Sequence, residues 1–202
     1  MNPIAIQWFG CIPYQQGLEL QKQIRTHIHR SKTETILGFE HPAVITFGKR
    51  GGTLTIDHTD IPIIHTNRGG LATAHEPGQL VLYPIIDIQQ RNIKIRDWVH
   101  GVEEIILRWL LDFDLIGTRD SKAGIWLKSE KLVSIGFHIE KGISTHGIAI
   151  NICNDLDIFS KIEACGSSHS KPTSLRKHGI FSTPAESFSN LAIKLKEWLD
   201  SI

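Results

Sequence analysis

The stretch that decides the fold is residues 124–151, GIWLKSEKLVSIGFHIEKGISTHGIAIN. Apolar and β-branched residues recur in three runs, 124–127, 131–139 and 143–150, and short polar turns at 128–130 and 141–142 separate them. Such short turns join antiparallel strands, because a parallel pair needs a long crossover. We therefore predict a three-stranded antiparallel meander at the centre of the protein.

Further strands and three helices surround this meander. Strand-like runs occupy 35–39, 43–47, 62–66 and 79–83. Helical stripes contain Leu20, Ile24 and Ile28, then Val102, Ile106, Trp109, Leu110 and Phe113 after Asp97 as a candidate N-cap, then Phe188, Leu191, Leu195, Trp198, Leu199 and Ile202 after a capping box at 183–186. Helices at the ends and once in mid-chain predict an α+β fold, with a mixed, largely antiparallel sheet and packed helices.

Composition places the chain among ordinary globular proteins. Its 202 residues are 41% hydrophobic and carry a formal net charge of +1, so we expect a single domain over residues 1–202. The near-zero charge gives no reason to expect nucleic acid or anionic membrane as a partner. No apolar run reaches 18 residues, and the N-terminus has no basic head before a long apolar stretch. Three widely spaced cysteines predict no disulfide framework, so we expect a reduced, cytoplasmic location.

Four segments carry groups that could do chemistry. The loop 68–80 contains Arg68, paired glycines and His75. The glycines either let the backbone approach a polar ligand closely or only form a tight loop. Lys131 is the first residue of an apolar strand. Its amine either lies at the mouth of a pocket or is solvated at the end of the strand. His146 stands beside Gly147, which we expect to leave room on the sheet surface. Cys165 lies among small residues, as a nucleophile in an accessible loop or as a small buried side chain.

Metal binding has little support in the sequence. Eleven histidines are present, but no HExxH pattern and no Cys/His pair at ligand spacing. We therefore predict neither a metal site nor a cofactor.

Together and in this order, the four segments resemble the lipoyl(octanoyl) transferases, the octanoyl-acyl carrier protein:protein N-octanoyltransferases. The family pattern is RGG-x-x-T-x-H-G-P-G-Q, then G-V-W, K-I-x-x-I-G, H-G-x-A-x-N and P-C-G. The chain matches it at Arg68-Gly69-Gly70, Thr73, His75, Pro77-Gly78-Gln79, Gly124-Ile125-Trp126, Lys131-Leu132, Ile135-Gly136, His146-Gly147, Ala149, Asn151 and Cys165-Gly166. The resemblance covers about residues 35–175 and implies the biotin/lipoate protein ligase-like fold.

The resemblance also implies a reaction and its residues. Cys165 is the expected nucleophile, which takes the octanoyl group as a thioester, and Lys131 is its expected catalytic partner. The expected substrate-binding residues are Arg68, Gly69, Gly70, Leu71, Ala72, Thr73, Ala74, His75, Ser134, Ile135, Gly136, His146, Gly147, Ile148 and Ala149. The implied partners are octanoyl-acyl carrier protein as donor, with lipoyl domains of 2-oxoacid dehydrogenase complexes and the glycine cleavage H protein as acceptors.

Three residues depart from the family pattern. Glu76 replaces the Gly after the loop histidine, Ala74 stands where an aromatic residue is common, and Ala164 replaces the Pro before the cysteine. We expect Glu76 to put a charge and a β-carbon beside the acyl site. An ATP-dependent lipoate or biotin protein ligase, an octanoyl amidotransferase between lipoyl proteins, and a catalytically impaired carrier-binding module remain the alternatives.

Overall fold

Two sheets form the framework. A computed structural model describes residues 2–120, 123–163 and 171–202. In chain order the strands are β1 (Ile4–Cys11), β2 (Glu34–Glu40), β3 (Val44–Phe47), β4 (Ile63–His65), β5 (Ala72–His75), β6 (Gln79–Ile85), β7 (Gly117–Thr118), β8 (Gly124–Leu127), β9 (Glu130–Glu140) and β10 (Ile143–Asn151). The larger sheet has the order β1-β2-β6-β10-β9-β8-β7, and the smaller has the order β4-β3-β5.

Strand pairing confirms the predicted meander. β8, β9 and β10 are successive antiparallel neighbours, and β10 also pairs antiparallel with β6. Two pairs, β1 with β2 and β3 with β4, are parallel, which makes the sheets mixed. The α+β prediction is therefore confirmed, although β1, β5 and β7 were not predicted.

Three helices cover the large sheet. They are α1 (Tyr14–Ser31), α2 (Ile95–Leu111) and α3 (Pro184–Asp200). Because side chains alternate along a strand, β6 and β10 feed two cores. Leu80, Leu82, Ile148 and Ile150 pack with residues of α2 and α3, whereas Val81, Tyr83 and Ala149 pack with residues of α1.

The helix ends test the sequence reading in detail. The predicted capping box is confirmed, since Thr183 Oγ1 accepts from the Glu186 N–H at 3.2 Å and the Glu186 carboxylate accepts from the Thr183 N–H at 2.8 Å. The Asp97 cap was wrong, because α2 begins at Ile95 and Asp97 lies in its first turn. Ile202 was predicted to belong to the apolar stripe of this helix, but it lies beyond the helix, since α3 ends at Asp200.

A buried ion pair joins the loop before α2 to β2. The Arg91 guanidinium donates to Glu34 Oε2 at 2.5 Å, and both side chains are almost fully buried. Arg91 also donates to the carbonyl of Leu199 near the end of α3. In the part of the chain that the structure describes, no helix is long and apolar enough to cross a bilayer.

Candidate active site

A cavity of about 270 Å³ lies where the loop 68–73 crosses the large sheet. Apolar side chains line much of it, which suits a hydrocarbon ligand. Of the residues that the sequence marked, the lining contains Arg68, Gly69, Gly70, Leu71, Ala72, Thr73, His75, Lys131, Ser134, Ile135, Gly136, His146, Gly147, Ile148 and Ala149. Ala74 is not among them, because its side chain is fully buried in the smaller core with Ile158 and Ile162.

Several lining residues were missed by the sequence analysis. They are Tyr14, Arg50, Val81, Tyr83, Ile95, Val99, Ala123, Phe137 and Ile139. Val81 and Tyr83 had a usable signal, since alternation along the predicted strand 79–83 puts them on one face. Tyr14 and Ile95 had none, because which end of a helix faces a cavity depends on tertiary packing.

Paired glycines let the loop lie against the sheet. Gly136 and Gly147 are direct neighbours across β9 and β10. A β-carbon on Gly136 would come within 2.9 Å of the Gly69 carbonyl oxygen, and the Gly69 N–H donates to the Phe137 carbonyl at 3.0 Å. A β-carbon on Gly147 would come within 2.4 Å of the Leu82 carbonyl oxygen. The position that a β-carbon would take at Gly147 is therefore occupied by backbone of β6, while Gly147 itself lines the cavity.

Arg68 holds the loop in place. Its buried guanidinium donates to Thr46 Oγ1 from Nε and Nη2, to the Thr46 carbonyl at 2.6 Å and to the Gly69 carbonyl at 3.0 Å. These bonds link the glycine loop to β3. The guanidinium therefore fixes the cavity wall from within.

Lys131 lies at the cavity with its stem buried. The residue is 9% exposed, and its Nζ stands 5.1 Å from the centroid of the Trp126 ring. Its backbone N–H donates to the Lys171 carbonyl at 2.8 Å, and its carbonyl accepts from the Thr173 N–H at 3.0 Å. The chain that follows residue 170 is thus paired with the lysine strand. Cys165 and Ala164 lie outside the described residues.

Three neutral histidines lie at the cavity wall: His75 and His146 line the cavity, and His41 packs against His75. Burial lowers the pKa of His41 to about 4, and lowers the pKa of both His75 and His146 to about 3. Burial also raises the pKa of Tyr14 and of Tyr83, whose hydroxyl contacts His41 Nε2 at 3.3 Å. These histidines and tyrosines are uncharged near neutral pH, so they supply polar groups to the cavity wall without adding charge to that of Arg68.

A chain of amides links His75 to the segment beside Lys131. His75 Nδ1 is 2.7 Å from Gln79 Oε1, and Gln79 Nε2 donates to Asn151 Oδ1 at 2.9 Å. Asn151 Nδ2 then donates at 2.9 Å to the carbonyl of Thr173, whose N–H donates to Lys131. The network therefore couples the histidine wall to the lysine strand.

Glu76 is placed differently from the sequence expectation. Its carboxylate accepts from Asn154 Nδ2 and from the Leu156 N–H, both at 2.9 Å, and the residue does not contribute to the cavity lining. The charge is thus used in the turn that follows β10. Within residues 2–120, 123–163 and 171–202, no three His, Cys, Asp or Glu side chains form a group that could hold a metal ion.

The chain thus has an α+β fold whose cavity places apolar side chains beside Lys131. The family described as the lipoyl protein ligase A/B catalytic domain matches residues 13–194. The chain belongs to this family, which confirms the resemblance seen in the sequence.

Individual relatives narrow the class. An octanoyltransferase of Syntrophotalea carbinolica is 36% identical over 176 residues, which cover 86% of this chain and 83% of that protein. One of Syntrophobacter fumaroxidans is 34% identical over 179 residues, which cover 83% and 78%. The chain is accordingly an acyltransferase of the family.

Solved structures support the fold assignment. Lipoate-protein ligase A bound with ATP has a TM-score of 0.72 at 14% identity, covering 98% of this chain and 85% of that one. A biotin protein ligase from Aquifex aeolicus has a TM-score of 0.57 at 10% identity, covering 97% and 68%. At such identities the likeness shows the fold, and it confirms the predicted biotin/lipoate protein ligase-like architecture.

Proposed function

We propose that this enzyme transfers an octanoyl group from octanoyl-acyl carrier protein to a lysine of a lipoyl domain, through a thioester on Cys165. The names of its relatives support octanoyl as the acyl group. A related structure that contains a ligase and its E2 lipoyl domain supports lipoyl domains as acceptors. The glycine cleavage H protein is proposed as a further acceptor, and no cofactor is required.

One observation carries the proposal: the lysine that the family pattern marks lies at an apolar cavity. Lys131 lines this cavity together with Ile135 and Ile148. Its strand pairs with residues 171–173, which follow the cysteine in the chain. An apolar chain bound in the cavity would have its reactive end near an amine.

The first half-reaction exchanges one thioester for another. The Cys165 thiolate attacks the carbonyl carbon of the donor thioester, and a new carbon–sulfur bond forms. The carbon–sulfur bond to the carrier breaks, and the carrier leaves as a thiol after taking a proton from the Lys131 ammonium, which becomes a neutral amine. An ordinary thiol with a pKa of about 8.5 is only slightly ionised at neutral pH, and a nearby ammonium favours the thiolate. We assign that task to Lys131.

The second half-reaction makes an amide. The ε-amine of the acceptor lysine attacks the acyl-enzyme, the carbon–nitrogen bond forms, and Cys165 departs as a thiolate. One N–H proton must leave the nitrogen, and the amine of Lys131 can carry it to the departing sulfur. Thioester to amide is downhill, so the reaction needs no ATP.

Mass spectrometry tests the covalent step directly. Incubation with octanoyl-acyl carrier protein should add one octanoyl group to Cys165, and the adduct should disappear when apo lipoyl domain is added. Cys165→Ala should form no adduct and no octanoylated domain. Full transfer by Cys165→Ala would refute the acyl-enzyme.

Thiol labelling tests the assigned role of Lys131. Burial raises the pKa of both Cys11 and Cys153, which makes these two thiols slow internal references. Iodoacetamide should label Cys165 faster than either of them near pH 7, and Lys131→Met should remove the difference. Equal Cys165 labelling in wild type and Lys131→Met would contradict the assignment.

An ATP-dependent ligase is the second candidate, because the fold is shared with an ATP-bound lipoate ligase. A three-way assay separates the candidates with the same apo lipoyl domain as acceptor. Product formed from octanoyl-acyl carrier protein would support the transferase, and product formed from octanoate plus ATP would support a ligase. Product formed from an octanoylated lipoyl protein would support an amidotransferase. Product from none of them indicates an impaired carrier-binding module.

A further inference from the structure

The orientation of the Gln79 amide is fixed by a group that can only accept hydrogen bonds. Gln79 Nε2 donates to the backbone carbonyl of Ala74 at 3.2 Å and to Asn151 Oδ1 at 2.9 Å. Rotating the amide would set its oxygen against the Ala74 carbonyl oxygen. The Gln79 oxygen must therefore face His75, and His75 Nδ1, 2.7 Å away, must carry the proton of the ring.

A second amide holds the first one in this orientation. Asn151 Nδ2 donates to the backbone carbonyl of Thr173 at 2.9 Å, so Asn151 Oδ1 must face Gln79 Nε2. Asn154 Nδ2 donates to the same oxygen at 3.2 Å and to Glu76 Oε1 at 2.9 Å. Each amide thus ends on an obligate acceptor, and the network allows one arrangement of its protons.

The consequence falls on the other ring nitrogen of His75. A neutral imidazole holds one proton, so Nε2 carries a bare lone pair. His75 is 5% exposed, and it lines the cavity. Its Nε2 has no hydrogen-bond partner in residues 2–120, 123–163 and 171–202.

The two neighbouring histidines differ from His75 in the partners and the burial of their ring nitrogens. His41 has the same tautomer, because its Nδ1 donates to the carbonyl of Ile12 at 2.8 Å. However, His41 Nε2 is occupied by the hydroxyl of Tyr83 at 3.3 Å. His146 Nε2 is 2.7 Å from Asn67 Oδ1, and its Nδ1, which has no partner in the described residues, is fully buried. Of the three rings, His75 is the one whose unpartnered nitrogen is not fully buried.

We infer that His75 Nε2 is a fixed hydrogen-bond acceptor for the amine that attacks the acyl-enzyme, and that Gln79 and Asn151 are its positioning residues. This assignment rests on the proposed function. An N–H of the incoming amine donates to Nε2, which orients the nitrogen lone pair towards the thioester carbonyl. The carbon–nitrogen bond forms, the carbon–sulfur bond breaks, and the displaced proton passes by way of Lys131 to sulfur. His75 holds the hydrogen bond without taking the proton.

The tautomer can be measured without any substrate. In ¹⁵N-histidine-labelled protein, the long-range ¹⁵N–¹H spectrum of the His75 ring, assigned by its loss in His75→Asn, should show protonated Nδ1 and unprotonated Nε2 from pH 6 to 8. Gln79→Met, which removes the acceptor for Nδ1, should give a mixture of tautomers. A protonated Nε2 in the wild type would overturn the inference.

The kinetic test isolates the amine step. His75→Asn keeps a donor near the position of Nδ1 and removes the Nε2 acceptor. Starting from preformed octanoyl-enzyme, we expect transfer to apo lipoyl domain to slow about tenfold to a hundredfold, the worth of one buried hydrogen bond. Formation of the octanoyl-enzyme, measured in parallel, should slow less than the amine step, because no amine takes part in it. Gln79→Met should slow the same step.

The outcomes separate this inference from the proposed function. Wild-type transfer rates from octanoyl-His75→Asn would overturn the acceptor role while leaving the acyl-enzyme mechanism intact. A wild-type protein that never acquires octanoyl on Cys165 would refute the proposed function. If the wild-type protein is not loaded, or if a kinetic variant does not fold, the NMR spectrum of the wild-type protein still shows which tautomer His75 adopts.

Discussion

The carboxylate of Glu76 accepts a hydrogen bond from Asn154 Nδ2 at 2.9 Å across 78 positions of sequence. It also accepts one from the Leu156 N–H, at the start of the short helix Asp157–Lys161. A residue that departs from the family pattern therefore links the turn before β6 to the chain after β10. Its charge is compensated there by two donors, away from the cavity lining.

Removing this carboxylate should destabilise the protein. We expect Glu76→Ala to lower the free energy of unfolding by about 1–3 kcal/mol, because it leaves a half-buried backbone N–H and a buried amide without their acceptor. Glu76→Gln retains an acceptor oxygen and should lose less. Urea unfolding measures the change, and Glu197→Ala, at an exposed position of α3, should stay within about 0.5 kcal/mol of wild type. A Glu76→Ala protein as stable as the Glu197→Ala control would contradict this account.

The parts predicted from sequence are those whose signal is local. The meander from Gly124 to Asn151 alternates clearly, and the capping box at Thr183 is contained in four residues. β1 was missed although Ile4 and Ile6 alternate, because its parallel partner β2 lies beyond a whole helix. β5 was missed since Ala72 and its short polar neighbours form a strand only through pairing with β3.

The candidate site follows the same division. Motif spacing marked the loop, Lys131 and His146, but gave no sign that Arg68 would turn inward to Thr46. The partners of Glu76 and Gln79 are more than 70 positions away, so neither the role of Glu76 nor the orientation of the Gln79 amide could be predicted. Such relationships come from tertiary contacts alone.

Gly136→Ala should displace the glycine loop. The added β-carbon would lie 2.9 Å from the Gly69 carbonyl oxygen, which is backbone and cannot rotate away. We expect a loss of about 1–3 kcal/mol in stability, typical of overpacking, and slower octanoyl loading, since the displaced loop lines the cavity. Thermal unfolding and mass spectrometry of the adduct measure the two effects.

The matched control for this substitution is Ser134→Ala. Ser134 lies two residues earlier in the same strand, faces the same cavity and already has a β-carbon. It should retain stability and loading. Equal loading by Gly136→Ala and Ser134→Ala would show that the contact between the loop and β9 does not shape the cavity.

Acid should destabilise the protein through its buried histidines. The folded pKa of His75, about 3, lies below its ordinary value of 6.5, so the unfolded chain binds the extra proton first. Stability is therefore complete above pH 6.5 and falls as the pH drops towards 3, and His41 and His146 act in the same direction. One such histidine costs about 2 kcal/mol between pH 7 and pH 5.

Urea unfolding at pH 7, 6 and 5 checks both sign and source. His75→Asn should lose about 2 kcal/mol less than wild type over this range, whereas Ser134→Ala, which lines the same cavity without titrating, should follow wild type. If the difference between wild type and His75→Asn were the same at every pH, burial of a neutral His75 would be wrong.

Charge reversal should separate two candidate docking surfaces for the proposed donor, an acidic acyl carrier protein. One contains Lys22, Arg25, Arg30 and Lys32 on and just after α1, and the other contains Lys171, Arg176 and Lys177 after the cysteine segment. In the first, Arg25 is engaged by Glu140, and Lys22 lies 3.9 Å from Glu19. In the second, all three side chains are exposed, and the Lys171 carbonyl accepts from the Lys131 N–H, which sets this surface beside the cavity.

We therefore expect Lys171→Glu/Lys177→Glu to raise KM for octanoyl-acyl carrier protein about tenfold at low salt, with the effect fading at high salt. Transfer from a small octanoyl thioester should be unchanged, and Lys22→Glu/Lys32→Glu should leave both substrates unaffected. The opposite pattern would assign docking to α1, since steering by charge acts on the surface that the acidic partner meets.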